Sequence, residues 1–277
     1  MTYSLPDPLP PPLVRRRERK LLGAALLMVL LAVAGPALMQ PASFHDFADQ
    51  RAWGAIPHAM DVLGNLPFAA WGMAGLWALA RAVRQRAVDG ASVGLAGLFF
   101  AGLVVTAGVS AFYHWQPDDA GLVWDRMGMA LAAAVLLLGP VTVQVWAASG
   151  NLLPWGVLQI GGMALILGLA GLPPAWPAPG LRIRWALVIA LYALAKLLEL
   201  ADHAVFDLTG QFLSGHSLKH VVASFAAWPV VLAVLEAVRM SPERGKIRAE
   251  SAAPCNARAS RPAPSRSNQA TKPRSQA

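Results

Sequence analysis

Long apolar runs fill most of the chain between Leu21 and Val238, and they constrain its fold more than any other feature. Most of them approach or exceed the roughly 20 residues that a helix needs to cross a bilayer. Only 14% of the residues are charged, whereas a typical soluble protein has about 25%. The sequence therefore predicts an all-α fold, a polytopic membrane bundle of seven to eight transmembrane helices.

Seven apolar segments can be delimited, at residues 21–39, 59–82, 92–113, 122–148, 153–172, 185–203 and 216–238. The first follows a basic stretch and is either an uncleaved anchor or a signal peptide, and Pro36 in the cleavage region favours the anchor. We expect a disordered basic segment at 1–20, a membrane domain at 21–240 and a disordered basic tail at 241–277. The single cysteine, Cys255, falls in that tail, which excludes a disulfide framework and a thiolate metal site.

The net charge of +8 comes mostly from residues 15–20 and from the tail after Arg239. Beside a membrane domain, such charges orient the protein and contact anionic lipid headgroups, so we expect no nucleic-acid partner. The positive-inside rule places both termini in the cytoplasm, which requires an even number of crossings. Eight are reached if residues 122–172 hold three short helices, with a break at Gly139-Pro140.

Five polar residues have spacings that suit a metal centre: Ser110, His114, Asp125, His216 and His220. The last two histidines lie one turn apart on one helix face, and Ser110 precedes His114 by the same interval. Each residue has an ordinary alternative, such as a helix contact for the serine or a helix N-terminal carboxylate for the aspartate. With eight crossings, however, all five lie near the same outer face and suit a catalytic zinc with one open position.

The same residues resemble the motifs of the alkaline ceramidases, which belong to the CREST superfamily of membrane hydrolases together with the adiponectin receptors. Asp125 follows His114 by eleven residues, and the later His216-x3-His220 pair completes the pattern. Segments 44–51, 61–68 and 191–200 are similar to the bacterial ceramidase-domain proteins. The resemblance extends from about Phe44 to Val238.

This resemblance implies a zinc ion held by His114, His216 and His220. It implies that Asp125 positions and deprotonates the attacking water, and that Ser110 stabilises the oxyanion. The expected activity is hydrolysis of the amide bond of ceramide or a similar long-chain N-acyl lipid. The expected location is the bacterial inner membrane, with a membrane lipid as the substrate.

A calcium site is a second expectation from the resemblance, because the animal enzymes build one from an acidic N-terminal segment. Asp46 and Asp49 match its start, but the later positions hold Arg51, Trp53 and His58 rather than oxygen ligands. Calcium prefers six or more oxygens. The alternative is that the two aspartates cap a short helix or pair with Arg51.

Two other functions remain open from the sequence. The histidines suit axial ligation in a bis-histidine haem protein, although Ser110 and Asp125 then have no role. A non-catalytic lipid receptor or carrier on the same scaffold is the other alternative. Lys196 and Glu199, at i and i+3 in an apolar run, are predicted to pair with each other rather than to act in catalysis.

Overall fold

The computed structural model describes residues 11–132, 138–165 and 181–241. Within these ranges the fold is helical and contains no β-strand. The helices are α1 Pro11–Ala34, α2 Ala59–Leu63, α3 Leu66–Arg84, α4 Gly90–Trp115, α5 Asp119–Ala132, α6 Leu138–Ser149, α7 Leu153–Leu165, α8 Trp185–Leu200, α9 Asp202–Leu208, α10 Gly215–Phe225 and α11 Trp228–Met240.

Three helical stretches of the described chain are long and apolar enough to cross a membrane: Ala59–Arg84, Gly90–Trp115 and Gly215–Met240. Leu153–Leu165 is apolar but shorter. These stretches are consistent with a membrane protein, whereas the count of seven to eight crossings stays a prediction. The predicted tails fall largely outside the described residues, as do 133–137 and 166–180.

Some predicted boundaries differ from the structure. Helix α1 begins at Pro11, so residues 11–20, which were predicted to be disordered, are helical. Two predicted single runs each consist of two helices, with α2 followed by α3 and α10 by α11. Pro67 and Pro229 lie in the first turns of α3 and α11, where a missing amide hydrogen costs no helical hydrogen bond.

Glycines allow the central helices to pack closely. A Cβ atom at Gly75 of α3 would lie only 2.1 Å from the ring of Phe100, which is fully buried on α4. Between α4 and α5, a Cβ at Gly102 would approach the Cα of Ala132 to 2.3 Å. Small residues at such contacts are typical of membrane helix pairs. The short loop after Trp115 makes α4 and α5 antiparallel neighbours.

Loops between several helices meet at one end of the bundle, which we call the site end. The amide of Leu152, before α7, donates to the carbonyl of Leu38, which follows α1, at 2.7 Å. The side chain of Gln40 donates to Asp119, the first residue of α5, at 3.0 Å. The end of α1 therefore lies beside the α6–α7 loop and the start of α5.

The loop 44–51 connects further helices to the site end. The amide of Ala48 donates to one carboxylate oxygen of Asp202, at the start of α9, and the amide of His216 on α10 donates to the other. The carbonyl of Arg51 accepts from the amide of Ala59, where α2 begins. Helices α1, α4, α6 and α8 thus end here, while α2, α5, α7 and α10 begin here.

Candidate metal centre

Three imidazoles converge at the site end. His114 lies in the last turn of α4, and His216 and His220 lie one turn apart in α10. The Nε2 atom of His114 is 3.3 Å from that of His216 and 3.1 Å from that of His220. All three residues are buried, with 1%, 5% and 6% of their surface exposed. The two helices thus bring together histidines that lie more than 100 positions apart.

The nitrogen spacing fits a metal ion. Zinc–nitrogen bonds of about 2.0–2.1 Å at the tetrahedral angle separate two ligand nitrogens by about 3.3 Å. Three imidazole nitrogens that face one another have no carboxylate or carbonyl acceptor between them, whereas a cation would accept all three lone pairs. The three histidines form a group that could hold a metal ion. Among the described residues it is the one group of at least three potential ligand side chains that lie this close together.

The first turn of α10 is held in place by several hydrogen bonds. Ser214 caps the helix by accepting from the amide of Ser217. A Cβ atom at Gly215 would lie 2.2 Å from the carbonyl oxygen of Leu198, so only glycine permits this approach to α8. Asp202 then accepts from the amide of His216 at 2.7 Å. These contacts determine where the first histidine of the pair lies.

A second carboxylate contacts α10 between the two histidines. Asp61 of α2 is fully buried and accepts a hydrogen bond of 2.7 Å from the hydroxyl of Ser217. Its other oxygen has no hydrogen-bond partner in the described chain. Asp61 therefore links α2 to the turn of α10 that carries the metal-site histidines.

Ser110 and Asp125 form a pair beside the histidines. Both side chains are buried, and the serine hydroxyl lies close to the carboxyl group. Ser110 lies one turn before His114 on α4, and Asp125 lies on the adjacent α5. A Cβ at Gly128 would lie 2.6 Å from a methyl group of Val109, so glycine permits the close contact between the two helices. Asp125 is not among the mutually close ligand atoms.

Aromatic side chains cover the imidazoles. Phe47, in the loop 44–51, has its ring centre 4.2 Å from that of His216 and 5.0 Å from that of His114. Phe68 of α3 lies edge-on to His220 at 6.3 Å. Apolar walls of this kind exclude water and strengthen electrostatic interactions within a site.

Hydrogen bonds of His45 hold the same loop against α4 and α5. His45 Nε2 donates to Asp119 at 3.0 Å, and its Nδ1 lies 2.8 Å from the hydroxyl of Tyr113. Tyr113 directly precedes His114 in the sequence. The loop that carries Phe47 is thus attached on both sides of the α4–α5 turn.

The two aspartates of the calcium expectation have different surroundings. Asp49 is 1% exposed and accepts from Arg51 through both oxygens, at 2.8 and 2.6 Å. Burial opposes its ionisation, but the hydrogen bonds and charge of Arg51 outweigh burial and lower the pKa of Asp49. Asp46 contacts Gln50 at 3.4 Å. The predicted pairing with Arg51 is therefore present for Asp49 but is not shown for Asp46, and a calcium ion at Asp49 would have to displace the guanidinium.

The predicted contact between Lys196 and Glu199 is confirmed, and it includes a third residue. Lys196 donates to one oxygen of Glu199 at 2.5 Å, and Lys219 of α10 donates to the other at 2.6 Å. Lys219 directly precedes His220 in the sequence. The ion pairs therefore attach α8 to α10 beside the histidines.

Sequence reasoning gave no role to several of these groups, namely Phe47, Asp61, Asp202, Ser217 and Lys219. An ionisable residue in an apolar run is itself a signal of function, so Asp61 and Lys219 were detectable in principle. Phe47 was not, because an aromatic residue in a loop is common and its contact with the histidines depends on the tertiary fold.

Comparisons of the chain with models of known protein families, with curated proteins and with solved structures found no match.

Proposed function

We propose that this protein is an integral-membrane, zinc-dependent amidohydrolase that cleaves ceramide or a similar long-chain N-acyl lipid. The observation that carries the proposal is the convergence of three buried imidazole nitrogens at 3.1 and 3.3 Å. The hydroxyl group of Ser110 lies one helical turn before His114, and the carboxyl group of Asp125 lies on the adjacent helix α5. This combination offers metal ligands, a base and a hydrogen-bond donor in one apolar surrounding.

Zinc is the metal that best suits the donor set. Neutral imidazoles are borderline ligands that bind zinc readily, and three protein ligands leave a fourth position open for substrate or water. Bound zinc would supply a Lewis acid and lower the pKa of water to about 7. The residues that would hold it are His114, His216 and His220.

The protein's own groups have distinct roles in this proposal. Asp125 accepts a proton from the attacking water. The Ser110 hydroxyl donates a hydrogen bond to the carbonyl oxygen as negative charge develops there. The ring of Phe47 covers His114 and His216 and so excludes bulk water from them.

The position of the site supports the proposed substrate class. The histidines lie at one end of the apolar helices, where a lipid amide near the headgroup region would be within reach and its acyl chain would extend along the bundle. The haem alternative is disfavoured, because axial histidines bind on opposite sides of a macrocycle and these nitrogens are too close to enclose one. A non-catalytic receptor or carrier remains the competing proposal, and turnover separates the two.

The decisive experiment is hydrolysis of an N-acyl sphingoid base by detergent-purified protein, with fatty acid release measured at matched zinc content. We expect Asp125→Asn to retain zinc and to lose about 10²- to 10⁴-fold in rate, because it lacks the general base. Ser110→Ala should retain zinc and lose on the order of 10²-fold. Ser224→Ala, a buried serine on α10 outside the histidine group, is the matched control.

Two results would contradict the proposal in different ways. Wild-type rates in both variants would mean that Asp125 and Ser110 are structural. A wild type that binds long-chain amides without releasing fatty acid would instead support the receptor or carrier.

We also propose eight crossings of a bacterial inner membrane with both termini in the cytoplasm. The alternation of helix ends supports this count, because α1, α4, α6 and α8 end at the site end and α2, α5, α7 and α10 begin there. Residues 15–20 precede this series and would face the cytoplasm by the positive-inside rule. A reporter fused after residue 240 should be active only in the cytoplasm, and activity outside would exclude the eight-crossing topology.

A further inference from the structure

Arg126 and Trp146 form a second buried polar site, distinct from the histidine nitrogens. Arg126 lies on α5 and is 5% exposed, and Trp146 lies on α6 and is 3% exposed. The guanidinium carbon is 4.7 Å from the ring centre of Trp146, 5.4 Å from that of Phe44 and 5.6 Å from that of Trp155. A buried cation is therefore surrounded by three aromatic side chains.

Both residues carry a buried hydrogen-bond donor without an acceptor. Arg126 Nε and Trp146 Nε1 have no hydrogen-bond partner in the part of the chain that the structure describes. Buried polar atoms are nearly always paired in folded proteins, so two orphaned donors on neighbouring residues indicate a missing acceptor. The aromatic rings attract the cation but accept neither of these hydrogen bonds in the usual geometry.

Neighbouring carboxylates do not supply the missing acceptor. Asp125 precedes Arg126 on the same helix, and successive helical residues do not face each other. Both oxygens of Glu199 accept from lysines, Lys196 and Lys219. Among the described residues Arg126 has no ion pair within 4.0 Å, and Asp125 and Glu199 act on its charge only at longer range.

We propose that Arg126 and Trp146 bind the oxyanion of an acidic lipid, either a carboxylate or a phosphate. Such a group accepts hydrogen bonds only, and a guanidinium and an indole N–H provide a charged and a neutral donor for it. The surrounding side chains favour an amphiphile over a free ion, because Trp146 and Trp155 belong to apolar clusters that include Val143 and Leu152. The proposal requires neither zinc nor amide hydrolysis.

The test is equilibrium dialysis of the full-length, detergent-purified protein with labelled dodecanoate, dodecyl phosphate and dodecanol. Chelator is present throughout, so that a metal at the histidines cannot bind the anionic probes. We expect at least one of the two anionic amphiphiles to bind about tenfold or more tightly than dodecanol, as hydrogen bonds to a charged group imply. The stronger of the two identifies the headgroup chemistry.

Three variants assign this preference to the proposed donors. Arg126→Gln should abolish the preference for the anionic probe. Trp146→Phe keeps the aromatic ring and removes only the N–H, so it should reduce the preference several-fold. Trp228→Phe makes the same change at an exposed tryptophan of α11, outside the proposed site, so it is the matched control and should bind like wild type.

The outcomes separate the proposal from its competitors. An unchanged preference in both Arg126→Gln and Trp146→Phe would overturn it. Equal affinity for all three amphiphiles would mean that ordered water alone meets these donors, and would also overturn it. Displacement of dodecyl phosphate by an equal concentration of inorganic phosphate would show a free-anion site and exclude the lipid. If Arg126→Gln does not fold, Trp146→Phe decides alone.

Discussion

The histidine group and the Lys196–Glu199–Lys219 group both include residues of α10, but their polar atoms are satisfied in opposite ways. Both oxygens of Glu199 accept from lysines, at 2.5 and 2.6 Å. The three imidazole nitrogens face one another, and the Nδ1 atom of His114 has no partner in the described chain. An ion cluster whose carboxylate is fully paired stabilises helix packing, whereas converging imidazole nitrogens offer a position for a metal ion.

The largest loss of metal and of stability is expected from the double variant His216→Ala, His220→Ala, which removes two of the three imidazoles. It should lose essentially all bound zinc, whereas the wild type should hold about one equivalent per chain. Metal that binds only the folded state stabilises it, by about 4 kcal/mol when zinc is a thousandfold above its dissociation constant. Elemental analysis and thermal unfolding with and without chelator measure both effects.

His203→Ala is the matched control for that measurement, because His203 is exposed and lies outside the histidine group. It should keep its zinc and its sensitivity to chelator. Full zinc occupancy in the double variant would mean that His216 and His220 do not hold the metal.

A smaller effect is expected from Glu199→Gln, which leaves two lysines without their shared carboxylate. Breaking a fully buried pair costs about 3–5 kcal/mol, and we expect about 2–3 kcal/mol here because the Glu199 side chain is 28% exposed. Zinc content should not change, since Glu199 is not a member of the histidine group.

Unfolding equilibria and metal analysis measure the stability and the zinc content, with Glu236→Gln on α11 as the control. Zinc loss in Glu199→Gln alone would mean that the two groups function as one site.

The smallest effect is expected at the Asp49–Arg51 pair. As in Glu199, both carboxylate oxygens of Asp49 accept from a basic side chain. The pKa of Asp49 is lowered in the folded protein from its ordinary value of 3.8. The pair therefore stabilises the fold fully above about pH 4, and this contribution is lost as the pH falls through the lowered pKa. Arg51→Gln should lower the free energy of unfolding at pH 7, and its difference from wild type should shrink in acid.

Gln50→Ala, an uncharged change in the same loop, should show no such pH dependence. Unfolding free energies of the three proteins between pH 7 and pH 3 measure it. A cost of Arg51→Gln that is independent of pH would mean that Arg51 acts through its packing on Phe206 rather than through Asp49.

Much of the local structure was predictable from sequence. The apolar runs predicted helices that the structure contains in 59–84, 90–115 and 215–240, because burial in an apolar medium favours helices with all backbone groups paired. The i, i+4 spacing of His216 and His220 predicted that both would point to one side of a helix. The start of α1 at Pro11 was not predicted, since a proline-rich, charged segment resembles a disordered one in composition.

What only the tertiary structure decided is which of these residues meet. His114 is 102 positions from His216. The approach of their nitrogens depends on Gly215 against α8 and on Asp202 of α9, which accepts from the amide of His216. Such contacts join distant parts of the chain and leave no periodic signal. The sequence by itself determined the helical elements and the residue types available for a metal. The tertiary structure decided which polar groups pair with one another and which, like the three imidazoles, converge on a point that a metal ion could occupy.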